Sequence, residues 1–217
     1  MKKLFTILLM SVVLLACSKK SDTVAMQPQI TTECPNHQRI VLTLKACSQG
    51  YITKSDQMRK ELKIRVVLYF GGTVPPLEAN VTLNKNLEAQ VEIPKDYPTS
   101  WIYIKGSNTL GVWSSKAVNL NRSITYDFTK ISNVYRDEDA PEPEVKINKV
   151  WCMYSGEVNN DIVIDIMDYY QIYSLNGKRG NHNEDINGDG VVNSLDWQMA
   201  YNNTLLGVYE QSPFSDK

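Results

Sequence analysis

Twelve residues near the C-terminus have the types and spacing to do chemistry: Asp185-Ile-Asn187-Gly-Asp189-Gly190-Val191-Val-Asn193-Ser194-Leu-Asp196. With Asp185 as position 1, oxygen-bearing side chains fall at positions 1, 3, 5, 9 and 12, and a glycine at position 6. A hard cation such as Ca²⁺ takes six to eight oxygens, and a loop of this length can wrap them around it. Asp185, Asn187, Asp189, Asn193 and Asp196 supply the side-chain oxygens, and Val191 at position 7 supplies its main-chain carbonyl. Gly190 permits a turn that a Cβ would obstruct. Asn-Gly-Asp-Gly alone is ordinary turn chemistry, but a turn has no need of the spacing that continues to Asp196. One bound Ca²⁺ is therefore expected in the loop 185–196.

A second stretch, Glu157-Val-Asn159-Asn160-Asp161-Ile162-Val163-Ile-Asp165-Ile-Met-Asp168, aligns with the first at a constant offset of 28 residues. Glu157, Asn159, Asp161, Asp165 and Asp168 would supply side chains, and Val163 its carbonyl. Two differences weaken it. Ile162 stands where the other loop has Gly190, and a branched residue resists positive φ. Glu157 is one methylene longer than Asp185. A second Ca²⁺ is expected here, held more weakly or in altered geometry, with an empty loop as the alternative.

Such loops need helices to position them. One should run from the first loop through Met167, Tyr170 and Ile172. Another, capped by Ser194, should run through Trp197, Ala200 and Tyr201 toward Leu205. Ile164 and Val192, at position 8 of each loop, are expected to point inward and pair in a short β bridge. Each unit alone is too small for a core, so metal would supply much of the folding free energy.

The middle of the chain reads as strands. Residues Arg39 to Ala46 alternate, and Leu62 to Phe70 is rich in β-formers before Gly71-Gly72. Further strands are expected over Ala79–Leu83, Leu87–Ile93, Ser100–Ile104, Val112–Val118 and Ser123–Phe128. Lys146–Tyr154 is a last strand or a connector. Short strands at regular spacing point to an all-β sandwich of about seven strands, since one sheet alone could not cover its apolar face. Lys54 to Glu61 reads as a loop or short helical turn. The acidic, proline-containing run 136–144 reads as a solvated hinge.

The N-terminus sets an address. Lys2 and Lys3 precede the apolar run Leu4–Leu15, too short to span a bilayer comfortably, which ends Leu14-Leu15-Ala16-Cys17. This resembles a bacterial lipoprotein signal cut before Cys17, which would then carry lipid, palmitate included. Several acyl chains, at about 0.8 kcal/mol per buried CH₂, would anchor the chain stably. Residues 17–33 read as a tether. Lys19, Lys20 and Asp22 partly resemble the surface-export signal of Bacteroidota lipoproteins.

The chain has 217 residues and a net charge of −1, which gives no sign of nucleic-acid binding. Beyond Cys17 it holds Cys34, Cys47 and Cys152. Cys34 with Cys47 is one disulfide pairing and Cys34 with Cys152 its rival; an unpaired Cys152 would be a small buried hydrophobe. His37 and His182 make no zinc or triad spacing with them.

With Tyr154-Ser-Gly-Glu157-Val-Asn159 in view, the chain resembles dockerin-like modules, which pair two EF-hand-like loop-helix segments. The segments Trp101-Ile-Tyr103-Ile-Lys105, Val112-Trp113-Ser-Ser115 and Ile124–Thr129 are similar to the β-sandwich fused before such modules in Bacteroidota surface proteins. The resemblance implies an Ig- or fibronectin-like sandwich over 34–153, a helical calcium module over 154–210 and a tail over 211–217. Ile166 and Met167, at positions 10 and 11 of the first loop, are unusually apolar for a cohesin-binding surface, so they are expected to pack on the sandwich.

The resemblance further implies a non-catalytic outer-membrane lipoprotein facing the cell exterior. It would be accessory to a TonB-dependent importer built of a SusC-like barrel and a SusD-like lipoprotein, taking up glycans or peptides. An independent carbohydrate-binding lipoprotein and a dockerin that mediates protein assembly are the alternatives. Trp101, Tyr103, Trp113 and Trp151 are the candidate ligand or partner surface, since planar rings stack on sugars and anchor interfaces. At strand spacing the same rings equally serve as core. No nucleophile-base set stands out, and Glu78, Glu88 and Glu92 read as sheet surface.

Overall fold

A computed structural model describes residues 38–52, 60–72, 74–95 and 99–214. The expected leader, Cys17, the tether, Cys34, His37 and most of the charged run from Lys54 lie outside them. From Asn36 onward the chain clusters as one compact unit. It is a β-sheet part of three sheets, none closed into a barrel, followed by a pair of packed helices.

The first sheet holds β1 (Arg39–Lys45) between β4 (Glu88–Pro94), antiparallel, and β8 (Ile124–Asp127), parallel. The larger sheet runs β3 (Leu77–Leu83), β2 (Leu62–Tyr69), β5 (Thr99–Gly106), β6 (Val112–Trp113), all neighbours antiparallel. Hairpin β9 (Glu144–Ile147) and β10 (Val150–Met153) forms the third. The expected strand over 112–118 is interrupted. Ser114 Oγ accepts from Ile102 N and donates to Lys116 O, and a separate β7 (Val118–Asn119) pairs with the start of β5.

Period-two alternation explains the core. Ile40, Leu42 and Leu44 of β1, Ile64, Val66 and Leu68 of β2, Val91 and Ile93 of β4, and Ile102 and Ile104 of β5 are buried in one cluster. Each such side chain contributes roughly 1.5–3 kcal/mol when fully buried. Glu78, Glu88 and Glu92 lie on the solvated faces in ion pairs with Arg65, Lys45 and Arg39.

Cys47 and Cys152 form a disulfide, with Cα atoms 4.4 Å apart across 105 residues of sequence. This replaces the pairings expected with Cys34, and Cys152 is not a lone hydrophobe. The reason is a strand alignment that sequence spacing does not reveal: Ser48 bridges Met153, and Met153 N donates to Cys47 O.

The run 136–144 also departs from expectation. Arg136 pairs with Glu142 at the surface, but Glu144 opens β9 and is only 1 % exposed. Pairing with Met153 draws it into the interior.

The two helices are α1 (Ile166–Ser174) and α2 (Ser194–Thr204). They pack around Val158, Ile172, Ile186, Val192 and Ala200. Ile164 joins a different cluster with Leu110, Tyr154 and Val208. The expected Ile164–Val192 bridge is therefore corrected: Ile164 N donates to Val208 O, and Val192 N to Lys178 O. Each loop pairs with the segment that follows the other loop's helix. None of the helices among the described residues is long and apolar enough to cross a membrane.

Candidate metal centre

Both loops share one local design. In the second, Asn187 Oδ1 accepts from Asp189 N, Asp189 Oδ1 from Val191 N and Asn193 Oδ1 from Leu195 N. In the first, Asn159 Oδ1 accepts from Asp161 N, Asp161 Oδ1 from Val163 N and Asp165 Oδ1 from Met167 N. Side chains that turn back on the main chain two residues ahead curl each loop.

Position 9 then becomes the helix N-cap. Asp165 caps α1 and Asn193, not the expected Ser194, caps α2. Position 12 closes each capping box: Asp168 accepts from Asp165 N, and Asp196 from Asn193 N. Asp168 and Asp196 also reach back to the loop starts, accepting from Val158 N and Asn187 N. The same acidic residue thus ties loop start, loop end and helix together.

The backbones follow suit. Gly188 and Gly190 have φ of 71° and 93°, and Asn160 and Ile162, at the same positions of the first loop, have 64° and 69°. Ile162 adopts the left-handed turn that its branched side chain resists, so strain is held there. Glu210 N donates to Ile162 O, and Val163 bridges Tyr209, which clamp the strained turn.

Position 1 is where the loops part. Asp185 is buried and faces its own loop: Oδ1 accepts from Asp189 N and Oδ2 from Gly190 N, with the half-exposed Lys60 ammonium 3.5 Å from Oδ2. Glu157 turns away. Its Oε2 pairs with the Lys105 ammonium and its Oε1 accepts from Asn160 N. Neither lysine stands out in the sequence, because nothing in spacing relates Lys105 to Glu157, 52 residues on, or Lys60 to the still more distant Asp185.

Burial raises the Asp196 carboxyl above its usual range, and the Asp185 and Asp189 charges add to this against the main-chain hydrogen bonds that lower it. Among the described residues, no group of three or more His, Cys, Asp or Glu side chains is drawn together to hold a metal ion. The expected set in each loop, however, includes amides and a carbonyl. The second loop fits a hard cation: its donors are all oxygens, and its position 1 carboxylate faces inward. Gly190 serves by its φ of 93° and not by leaving room, since a Cβ there would meet nothing within 4 Å. In the first loop, Asn159, Asp161, Val163, Asp165 and Asp168 keep their places, but Glu157 gives Oε2 to Lys105 of β5, so its position 1 does not fit.

The second loop packs on the turn after β1, where Gly50 lies against the Ile186 carbonyl. Gly50 N donates to Ser155 Oγ, while Gln49 Oε1 accepts from Ser155 N and from Asn203 Nδ2 of α2.

The aromatic candidates divide. Trp101, Tyr103 and Lys105 share one face of β5, opposite the buried Ile102 and Ile104. Phe214 lies over that face, its ring centroid 5.7 Å from Trp101 and 5.2 Å from Trp113. The Tyr103 hydroxyl donates to Glu210 Oε2, and burial with that carboxylate beside it pushes the phenol pKa upward. Trp151, on β10, stands apart under Lys146. Ile166 and Met167 do not pack on the sheets as expected; Met167 is 60 % exposed, with Tyr170, Tyr173 and Leu195 also exposed. They lie on the outer faces of α1 and α2, whose buried faces are already filled by Ile172 and Ala200.

No protein-family model and no curated protein matches the chain.

Proposed function

We propose that this chain is a non-catalytic, calcium-bound lipoprotein of the outer-membrane surface, accessory to a SusCD-type importer of glycans or peptides. The observation that carries the calcium reading is the second loop. Asp185, Asn187, Asp189, Asn193 and Asp196 curl it and cap α2, leaving oxygens where a hard cation needs counter-charge. Bound Ca²⁺ would supply charge neutralisation and rigidity. Asp185 and Asp196 would hold it, with Val191 lending its carbonyl, while the loop packs on the Gly50 turn.

The finer architecture belongs to this reading too. The two larger sheets share one core, which supports an Ig-like sandwich, and the paired loop-helix units support a dockerin-like module. Anchoring through Cys17, an outward-facing location and the barrel and lid as partners rest on the resemblance of the sequence. Affinity purification of the tagged chain from detergent-solubilised outer membrane tests them. A barrel and a lipoprotein lid at fixed ratio is the expected result; recovery of the chain alone would count against it.

One observation favours a second reading, assembly with another protein through the helical part. Ile166, Met167, Tyr170 and Tyr173 along α1 and Leu195 at the start of α2 are exposed, and apolar side chains gathered at a surface mark interfaces. An independent glycan binder has less support, because Phe214 of the same chain lies over Trp101 and Trp113.

A further inference from the structure

We propose that the Lys105 ammonium is the built-in cation of the loop 157–168, so that this loop folds without metal and the chain takes a single Ca²⁺, in the loop 185–196. The count of one rests on the calcium reading of the second loop; the role of Lys105 does not.

Three observations carry it. First, the charge is already matched. Lys105 projects from β5 onto Glu157, its side chain is 13 % exposed, and Glu157 is fully buried. Glu210 Oε2 lies 3.9 Å from the same ammonium, so the lysine sits between two carboxylates. A divalent cation arriving on Glu157 would face this ammonium at close range with little water to screen the repulsion.

Second, Glu157 directs one of its oxygens out of its own loop. Oε2 is on Lys105 and Oε1 on Asn160 N. Asp185 in the other loop keeps both oxygens within its own loop, and its lysine partner is looser and half exposed. The extra methylene of Glu157 gives it the reach to leave the loop for the sheet.

Third, the loop has its turn without metal. Asn160 and Ile162 adopt positive φ like Gly188 and Gly190, and Glu210 N and Tyr209 pin the strained residue from outside. The lysine and the C-terminal segment together do what a bound ion would do. A metal-independent first loop fixes that segment on β5 whatever the calcium level, while the second loop alone responds to calcium.

The experiment is isothermal titration of CaCl₂ into chelator-stripped, detergent-solubilised full-length protein, followed by thermal melts in EGTA. One equivalent of Ca²⁺ is expected, lost in Asp196→Ala and kept in Asp161→Ala. Two equivalents, or binding that survives Asp196→Ala, would overturn the single-site assignment. Absence of binding in the wild type would instead overturn the calcium reading of the second loop, and the count of one with it. In EGTA, Lys105→Gln is expected to lower Tm by roughly 10 °C, as loss of a buried ion partner does. Adding Glu157→Gln should recover most of that loss. If the double variant melts no higher than Lys105→Gln alone, the role given to Lys105 is wrong.

Discussion

Gly50 and Ile186 meet backbone to backbone: a Cβ built on Gly50 would lie 1.9 Å from the Ile186 carbonyl oxygen. The turn after β1 and the second loop can pack this closely only because residue 50 has no side chain. Gly50→Ala must push the loop away. We expect a loss of about 1–3 kcal/mol by urea denaturation, the usual cost of overpacking, together with weaker calcium binding. Unchanged stability and affinity would show that the contact is dispensable.

Ile162 holds a left-handed turn that glycine adopts freely. Relief of that strain, about 1–2 kcal/mol, should exceed the backbone entropy lost with glycine, about 0.5–1 kcal/mol. Ile162→Gly is thus expected to stabilise the fold by about 0.5–1 kcal/mol, a rise of a few degrees in Tm by calorimetry. Its side chain is exposed, so little packing is given up. A lower Tm would mean that Ile162 makes a contact worth more than its strain.

Glu144 is buried, and neither of its carboxylate oxygens has a hydrogen-bond partner. Desolvation, and then the Asp127 charge, push its carboxyl well above the usual range. The folded state therefore keeps this proton to higher pH than the unfolded chain does. Stability from this group is fully present below the unfolded glutamate value of about 4.3 and is lost as pH rises toward the folded value, at up to about 1.4 kcal/mol per pH unit. Glu144→Gln should melt higher than the wild type at pH 7 and equal to it near pH 4. Equal melting at both pH values would place the carboxylate in a more polar setting.

The Cys47–Cys152 bridge closes a loop of about a hundred residues, for which chain entropy gives roughly 4–5 kcal/mol. The Cys47→Ala/Cys152→Ala variant is expected to lose about 2–5 kcal/mol in urea denaturation, and reductant should have little further effect on it. A variant as stable as the oxidised wild type would exclude this pairing.

What was legible in the sequence was local. Alternation in Arg39–Lys45 and Leu62–Tyr69 marks strands because one face of each packs into the core, and the loop-helix repeat is visible because its hydrogen bonds span only two to ten residues. What stayed hidden was contact between distant segments. Lys105 on Glu157, Cys47 on Cys152, Phe214 over Trp101 and the burial of Glu144 all depend on how the C-terminal part lies against the sheets. Ser194 lost the capping role to Asn193 because Asn193 already turned its Oδ1 onto Leu195 N.

Calcium binding in the loop 185–196 is tested most directly by calorimetric melting of the full-length protein in saturating CaCl₂ and in EGTA, beside Asp196→Ala. A site filled to about a hundred times its Kd adds about 2.7 kcal/mol. For a chain of this size that corresponds to a rise of roughly 5–10 °C. Such a rise is expected for the wild type and none for Asp196→Ala. A wild-type Tm that is the same in calcium and in EGTA would contradict calcium binding in this loop.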